Sequence, residues 1–237
     1  MVNAQVHMNY DIAAVDVGNT HVTTAYLRQG QLVLTKAVRT NFVRSKVIIK
    51  PSKIIIGSSV VPKITKLIQR DYPLAKIIKT NDVPVKKLPA HIGTDRAINM
   101  YAASTLYKSS NILVIDFGTA LTFSCSINNT FVGGLIMPGL KLMQEALGKT
   151  AKLPVVRSLQ SDGVLQIDTD KAIKSGIYTS VSSAVSSTID QIKKETGQEL
   201  LVVSTGGNAL ELSENIGGIQ IVNPTLIHEG LVLLANS

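Results

Sequence analysis

Ile12-Ala13-Ala14-Val15-Asp16-Val17-Gly18-Asn19-Thr20 is answered one hundred residues later by Ile112-Leu113-Val114-Ile115-Asp116-Phe117-Gly118-Thr119-Ala120-Leu121-Thr122. In each copy an apolar run of strand length delivers an aspartate to its end. A glycine then lets the backbone turn tightly enough to present N–H groups, and Thr or Asn adds a short polar arm. Asp, Gly and Asn are also the residues of an ordinary hairpin turn, so one such loop alone would say little. Repetition behind matching strands points instead to a strand-turn-strand unit used twice, and two such loops opposed to each other would make a phosphate clamp.

Reading outward, His21–Leu27 and Gln31–Val38 form a hairpin about Arg28-Gln29-Gly30, and Lys53–Ser59 is a short strand ending in small residues. Pro62 opens a helix that ends near Pro73. Residues 75–79 form a strand and 81–92 a loop, and a helix runs from Thr94 to about Tyr107 with Ile98, Tyr101, Ala102 and Leu106 at helical spacing. The order then repeats: a strand at 111–115, a hairpin through residues 126–130, and a helix over 140–147 closed by Gly148. A longer helix spans about Asp170 to Thr196, with Ile173, Ile177, Val181, Val185, Ile189 and Ile192 inward and Gly197 as its stop. A strand at 200–204 follows, and Thr205-Gly206-Gly207-Asn208 echoes Gly57-Ser58-Ser59. Each half therefore reads as a mixed sheet flanked by helices. The break at Lys108-Ser109-Ser110-Asn111 suggests domains at 1–109 and 110–237.

The 237 residues can bury two cores, and a composition 45% hydrophobic but only 4% aromatic, with no Trp, describes aliphatic packing with little to stack on bases. No apolar run reaches the roughly 18 residues of a membrane span. Residues 1–10 lack the basic and apolar regions of a secretory leader, and the single cysteine, Cys125, fits a reducing cytoplasm. The net charge of +8 is lopsided: residues 1–110 hold 16 Lys/Arg against 5 Asp/Glu, and the remainder 8 against 11. Such a half could steer polyanions such as ATP, an anionic substrate or nucleic acid. A spread like Lys46, Lys50, Lys53, Lys63 and Lys66 is also what a solvated face looks like. No zinc-ligand spacing or RNA-binding signature accompanies it.

Duplicated α/β domains with opposed Asp-Gly-Thr loops resemble the actin-like, or ribonuclease-H-like, ATPase fold. The substrate is chosen by further motifs. Gly93-Thr94-Asp95-Arg96 opens a helix with a carboxylate, which suits its N-terminus, and with an arginine, which opposes the helix dipole and so wants an anionic ligand. Asp95 could equally be a capping residue. With Asp16–Thr20, Gly93–Arg96 and Asp116–Thr122 come Gly133-Gly134-Leu135-Ile136-Met137-Pro138-Gly139, Thr150–Pro154, Asp168–Gly176 and Thr205–Gly207. In these ordered motifs, over nearly its whole length, the sequence resembles type III pantothenate kinases, relatives of the Bvg accessory factors. It departs from many of them at residues 85–91, where Pro89 is kept but the aromatic of Tyr-x-x-Pro is missing.

The resemblance implies transfer of the ATP γ-phosphoryl group to pantothenate, the first step of coenzyme A biosynthesis. Asp95 would be the base, and Gly93, Thr94, Asp95, Arg96 and Thr169 would hold pantothenate, Thr169 being also a natural N-cap for the long helix. Asp16, Val17, Gly18, Asn19, Thr20, His21, Val22 and Thr23 would wrap ATP, joined by Thr119, Gly206 and Gly207, although Gly206-Gly207 also suits a tight strand-helix turn. Asp16 would face Mg²⁺ through water, because Mg²⁺ keeps several of its waters. The resemblance gives Asp116 a K⁺ or NH₄⁺ ion, although a turn-capping Asp reads the same. It further implies a homodimer, while the lone cysteine points to the cytoplasm and the missing RNA-binding signature to no specific nucleic-acid binding. The rival readings are a basic, nucleic-acid-associated regulatory protein on a kinase fold, and an actin-fold kinase of another small hydroxy compound.

Overall fold

The computed structural model describes residues 10–154, 156, 163–214 and 216–237, which form two compact units. Residues 1–9, on which the leader expectation rests, lie outside it. In the first unit β1 (Tyr10–Val17) pairs antiparallel with β2 (His21–Arg28), which pairs antiparallel with β3 (Gln31–Arg39) across a turn whose residues Gln29 and Gly30 both have positive φ. That is the geometry a two-residue hairpin needs to match strand twist. On the other side β1 runs parallel to β4 (Ser52–Ser59), which runs parallel to β5 (Lys76–Ile77). Between these two lies α1 (Pro62–Asp71), with proline in its first turn, and α2 (Thr94–Leu106) follows β5.

The continuous apolar run of β1 is explained by cover on both faces. Ala13, Val15 and Val17, with Val22 and Tyr26, pack against Ile64 and Ile68 of α1. The alternate residues Ile12 and Ala14, with Leu27 and Ile56, pack against Ala97 and Ile98 of α2. Asp16 continues that second series, so it emerges on the α2 face.

The second unit repeats the plan with β6 (Ile112–Phe117), β7 (Ala120–Ile127) and β8 (Thr130–Pro138), then α3 (Leu140–Thr150), α4 (Thr169–Thr196), β9 (Leu201–Thr205), α5 (Ala209–Ser213) and β10 (Ile221–Val222). The strand orders β3-β2-β1-β4-β5 and β8-β7-β6-β9-β10 are the same topology, so both mixed sheets expected from the sequence are present. Ile173, Ile177, Val181, Val185 and Ile189 of α4 are buried in this unit's core, and Ile192 packs at its margin. Gly197 ends α4 in the left-handed conformation.

Three expectations need correction. Helix α3 runs through Gly148 to Thr150: the Thr150 hydroxyl bonds the Ala146 carbonyl and Ala151 N–H the Leu147 carbonyl, which outweighs the roughly 1 kcal/mol that glycine costs inside a helix. Leu106, in the last turn of α2, is exposed rather than inward. The third concerns the last helix, α6 (Leu226–Ala235), which a division at 109/110 assigns to the second half. It belongs to the first unit, where Leu231 and Leu234 join the Ile12/Ala14/Ile98 cluster. An apolar helix goes where an uncovered apolar face awaits it, whatever its place in the chain.

Close approach of α6 to α2 depends on Gly230, where a Cβ would lie 2.6 Å from Ile98 Cγ2 and 3.0 Å from Ala102 Cβ. Gly230→Val should therefore lower the unfolding free energy by about 3 kcal/mol through overpacking. Gly176→Ala, at an exposed position of α4 where a Cβ meets nothing within 4 Å, should raise it by up to about 1 kcal/mol. Urea unfolding of the two variants against the parent checks the opposite signs.

Candidate active site

Three adjacent strands set a row of oxygens at the end of the first sheet. Asp16 on β1 is the register partner of Thr23 on β2 and of Ser58 on β4. The Ser58 hydroxyl, itself buried, donates to Asp16 Oδ1 at 2.7 Å. The second sheet holds the same row, with Asp116 on β6 between Thr122 on β7 and Thr205 on β9. The duplication seen in the sequence is thus a duplication of a three-strand constellation, hydroxyl–carboxylate–hydroxyl.

Burial pushes the Asp16 carboxyl up to about 7; the Ser58 hydrogen bond opposes the shift and the nearby charge of Asp95 adds to it. A carboxyl in this state gives up its proton when a cation arrives. The turn after it is fixed by the Gly18 N–H on the His21 carbonyl, the Thr40 hydroxyl on the Gly18 carbonyl and the Thr40 N–H on the Thr20 carbonyl. Asn19 and His21 are exposed, whereas Val17 and Val22 are buried in the α1-face core, so only the backbone of these two valines is available to a ligand.

Gly93 is the N-cap of α2 and supplies no side-chain cap. Asp95, in the first turn, accepts from the Arg96 N–H at 2.9 Å, and a Cβ on Gly93 would run into its carboxylate, so glycine here makes room for Asp95. Thr94 shares a 2.9 Å hydroxyl contact with Thr80. Arg96 is partly buried, and that burial pulls its pKa down against the pull of Asp95. A guanidinium drawn out of water next to one carboxylate is suited to a second anion.

In the second unit Gly206 has φ +95°, and a Cβ there would strike the Asp116 carboxylate and lie within 2.9 Å of the Phe117 backbone. No other residue fits. Gly207, where a Cβ would meet nothing within 4 Å, is not demanded by the fold. Thr119 is held through its carbonyl, which accepts from the Gly139 N–H. At α4 the cap expected from Thr169 is supplied by Asp168, whose Oδ1 accepts from the Lys171 N–H. Thr169 is the first helical residue, exposed and not used as the cap.

Sequence reasoning missed three residues of the first site. Ser58 was visible only as part of a small-residue strand end. Asn99, four residues after Asp95 and so on the same side of α2, is buried with its Oδ1 unpaired. His228 of α6, 6% exposed, places Nε2 3.0 Å from Thr23 Oγ1, and its one signal is a histidine within the apolar stretch Leu226–Ala235. The segment lacking the aromatic packs Val85 and Leu88 against the α2-face core. Among the described residues no three His, Cys, Asp or Glu side chains converge as a metal cage, and no helix is long and apolar enough to cross a membrane. Lys46, Lys53, Lys63 and Lys66 are exposed, while Lys50 lies over the Tyr10 and Tyr26 rings.

The model of the type III pantothenate kinase family matches residues 12–191. The chain belongs to that family. A type III pantothenate kinase of Fusobacterium nucleatum is 32% identical over 94% of this chain and 98% of its own. Among solved structures, one described as a Baf family transcriptional activator from Campylobacter jejuni superposes with a TM-score of 0.64 at 16% identity, over 94% of this chain and 97% of that one. The activator of 2-hydroxyisocaproyl-CoA dehydratase from Clostridium difficile, solved with ADPNP, gives 0.56 at 14% identity over 94% and 93%. At such identities these structures speak for the actin-like ATPase fold alone. Membership of the family makes the chain a phosphotransferase of that fold, ATP-dependent and needing a divalent metal.

Two buried groups of the first site oppose each other in pH. The raised Asp16 carboxyl means that the folded state binds more protons than the unfolded one between about pH 4 and 7, so its contribution to stability declines as pH rises through that window. Burial pulls the His228 imidazole down to about 4, so its contribution is complete above the usual 6.5 and is lost as pH falls toward 4. In melts without nucleotide or divalent metal, Asp16→Asn should gain on the parent as pH rises from 4 to 7. His228→Gln should gain as pH falls from 6.5 to 4. Difference curves flat from pH 4 to 8 would contradict both.

Proposed function

We propose that this protein transfers the γ-phosphoryl group of ATP to the primary hydroxyl of pantothenate, giving 4′-phosphopantothenate. The observation that carries this reading is Asp95 beside Arg96 in the first turn of α2, with Asp95 close enough to Asp16 for its charge to act on that carboxyl. Phosphoryl transfer passes through a loose transition state, so the protein's work is to position reactants and balance charge. Asp95 receives the hydroxyl proton, which needs to leave only after the new O–P bond has begun to form. Arg96 pairs with the pantothenate carboxylate, with Gly93 and Thr94 alongside.

Asp16 to Thr23 serve the ATP phosphates. Asp16 is suited to orient a hydrated Mg²⁺, since burial leaves its carboxylate short of partners and a divalent ion restores its charge. In the second unit Thr119, Gly206 and Gly207 are assigned to ATP, Thr169 to pantothenate, and Asp116 to K⁺ or NH₄⁺. Thr169 suits its role because its hydroxyl is not taken up by capping, and Gly207 because no fold constraint explains it. The family resemblance supports a homodimer, and the single, buried Cys125 a reducing cytoplasm.

Asp95→Asn is close to isosteric and removes only the proton acceptor. Its turnover should fall by at least about 10²-fold while melting temperature and ATP affinity change little. Turnover equal to the parent would remove Asp95 from the reaction.

The cation assignment has its own test. A carboxylate at Asp116 beside the bound triphosphate adds negative charge to negative charge, and a weakly hydrated monovalent ion there relieves it. Activity with Mg²⁺ should rise severalfold when K⁺ or NH₄⁺ replaces Na⁺ at constant ionic strength, and Asp116→Asn should blunt the response. Equal rates in Na⁺ and K⁺ would defeat the assignment.

A further inference from the structure

Thr23 has a partner the reaction as described does not use. Its hydroxyl lies 3.0 Å from His228 Nε2, and Thr23 is partly exposed, whereas His228 is buried with Nδ1 unpaired. Both residues belong to the first unit, and Thr23 is the cross-strand partner of Asp16. A neutral imidazole carries one N–H and one lone pair, so the unpaired Nδ1 exposes one or the other to a dry surrounding. A buried N–H without a partner is the rarer and costlier case. The bare lone pair therefore belongs on Nδ1 and the N–H on Nε2, facing Thr23, which offers it both its hydroxyl oxygen and its backbone. An N–H so placed engages a lone pair of the Thr23 hydroxyl oxygen and leaves its single proton to point elsewhere.

We propose that His228 is a positioning residue which, by presenting Nε2–H rather than a lone pair to Thr23, leaves the proton of the Thr23 hydroxyl for an anionic phosphoryl oxygen of the nucleotide beside Asp16. This rests on the assignment of ATP to the Asp16 loop. Asp16 accepts its hydrogen bond from Ser58, on the opposite neighbouring strand, so the two hydroxyls divide the work: one steadies the carboxyl and the other faces the ligand. Burial keeps the ring neutral at ordinary pH, so it orients without adding charge to the site. The device is peculiar to the first copy. The chain's four histidines stand at positions 7, 21, 91 and 228, and none falls within the second unit, where Thr122 holds the equivalent place opposite Asp116.

The tautomer is read directly by long-range ¹H–¹⁵N correlation of the intact protein labelled at histidine: Nε2 protonated and Nδ1 bare is expected, and the reverse would overturn the proposal. A binding cycle with a non-hydrolysable ATP analogue gives the second readout. Thr23→Val, which removes the hydroxyl and keeps the shape, should weaken binding about tenfold, the usual worth of a charge-assisted hydrogen bond. His228→Leu should weaken it several-fold, His228→Gln should recover most of that loss through its amide N–H, and the double variant His228→Leu/Thr23→Val should bind no worse than Thr23→Val alone. Unchanged binding by Thr23→Val, or losses that simply add in the double variant, would overturn it. Thr23→Val keeps the cycle decisive even should His228→Leu fold poorly. Because analogue binding is measured without pantothenate, failure of the pantothenate assignment would leave these results as they are.

Discussion

The first site depends on one carboxyl held at the end of a strand that is buried on both faces. Asp16 continues the inward series Ile12-Ala14 of β1, so the packing that builds the core also draws its carboxyl out of water. Ser58 repays part of that cost from β4, and the neighbouring charge of Asp95 adds to it. The outcome is a group poised near neutrality, whose charge would respond to a cation set beside it. A freely solvated aspartate at the same place would already be ionised and would have less to gain.

The same constraint shapes the elements around it. Helix α2 must lie close enough for Asp95 to be felt, and Gly93 makes room for its carboxylate. Helix α6 must approach α2 closely, which Gly230 permits, and in doing so it brings His228 to Thr23. In the second unit the equivalent carboxyl, Asp116, is confined by Gly206, a position where any side chain would collide. Asp16 is thus steadied by a hydroxyl from the neighbouring strand, and Asp116 is given its room by a glycine.

The two strand-Asp-Gly loops, the hairpins, the long helix with its Gly197 stop and the Gly-x-Asp-Arg turn were legible because their signals are local: apolar period, turn residues and caps lie within a few positions of each other. What was not legible is set by packing between distant segments. That α6 belongs with the first sheet depends on which apolar face is left uncovered, and 205 positions separate Thr23 from the histidine that binds it. Gly148 reads as a stop yet lies inside a helix held by later bonds. Asp168 takes the cap that Thr169 was equally fit to make, a choice between adjacent residues that composition does not decide.

The most direct test is a coupled ADP-release assay, with mass analysis of the product, in which the purified protein, ATP, Mg²⁺ and K⁺ meet pantothenate or a panel of other hydroxy acids and sugars. The account predicts one ADP released for each molecule of 4′-phosphopantothenate formed, and no comparable turnover of the rest of the panel. Turnover of a sugar or another hydroxy acid with pantothenate left unphosphorylated would contradict it.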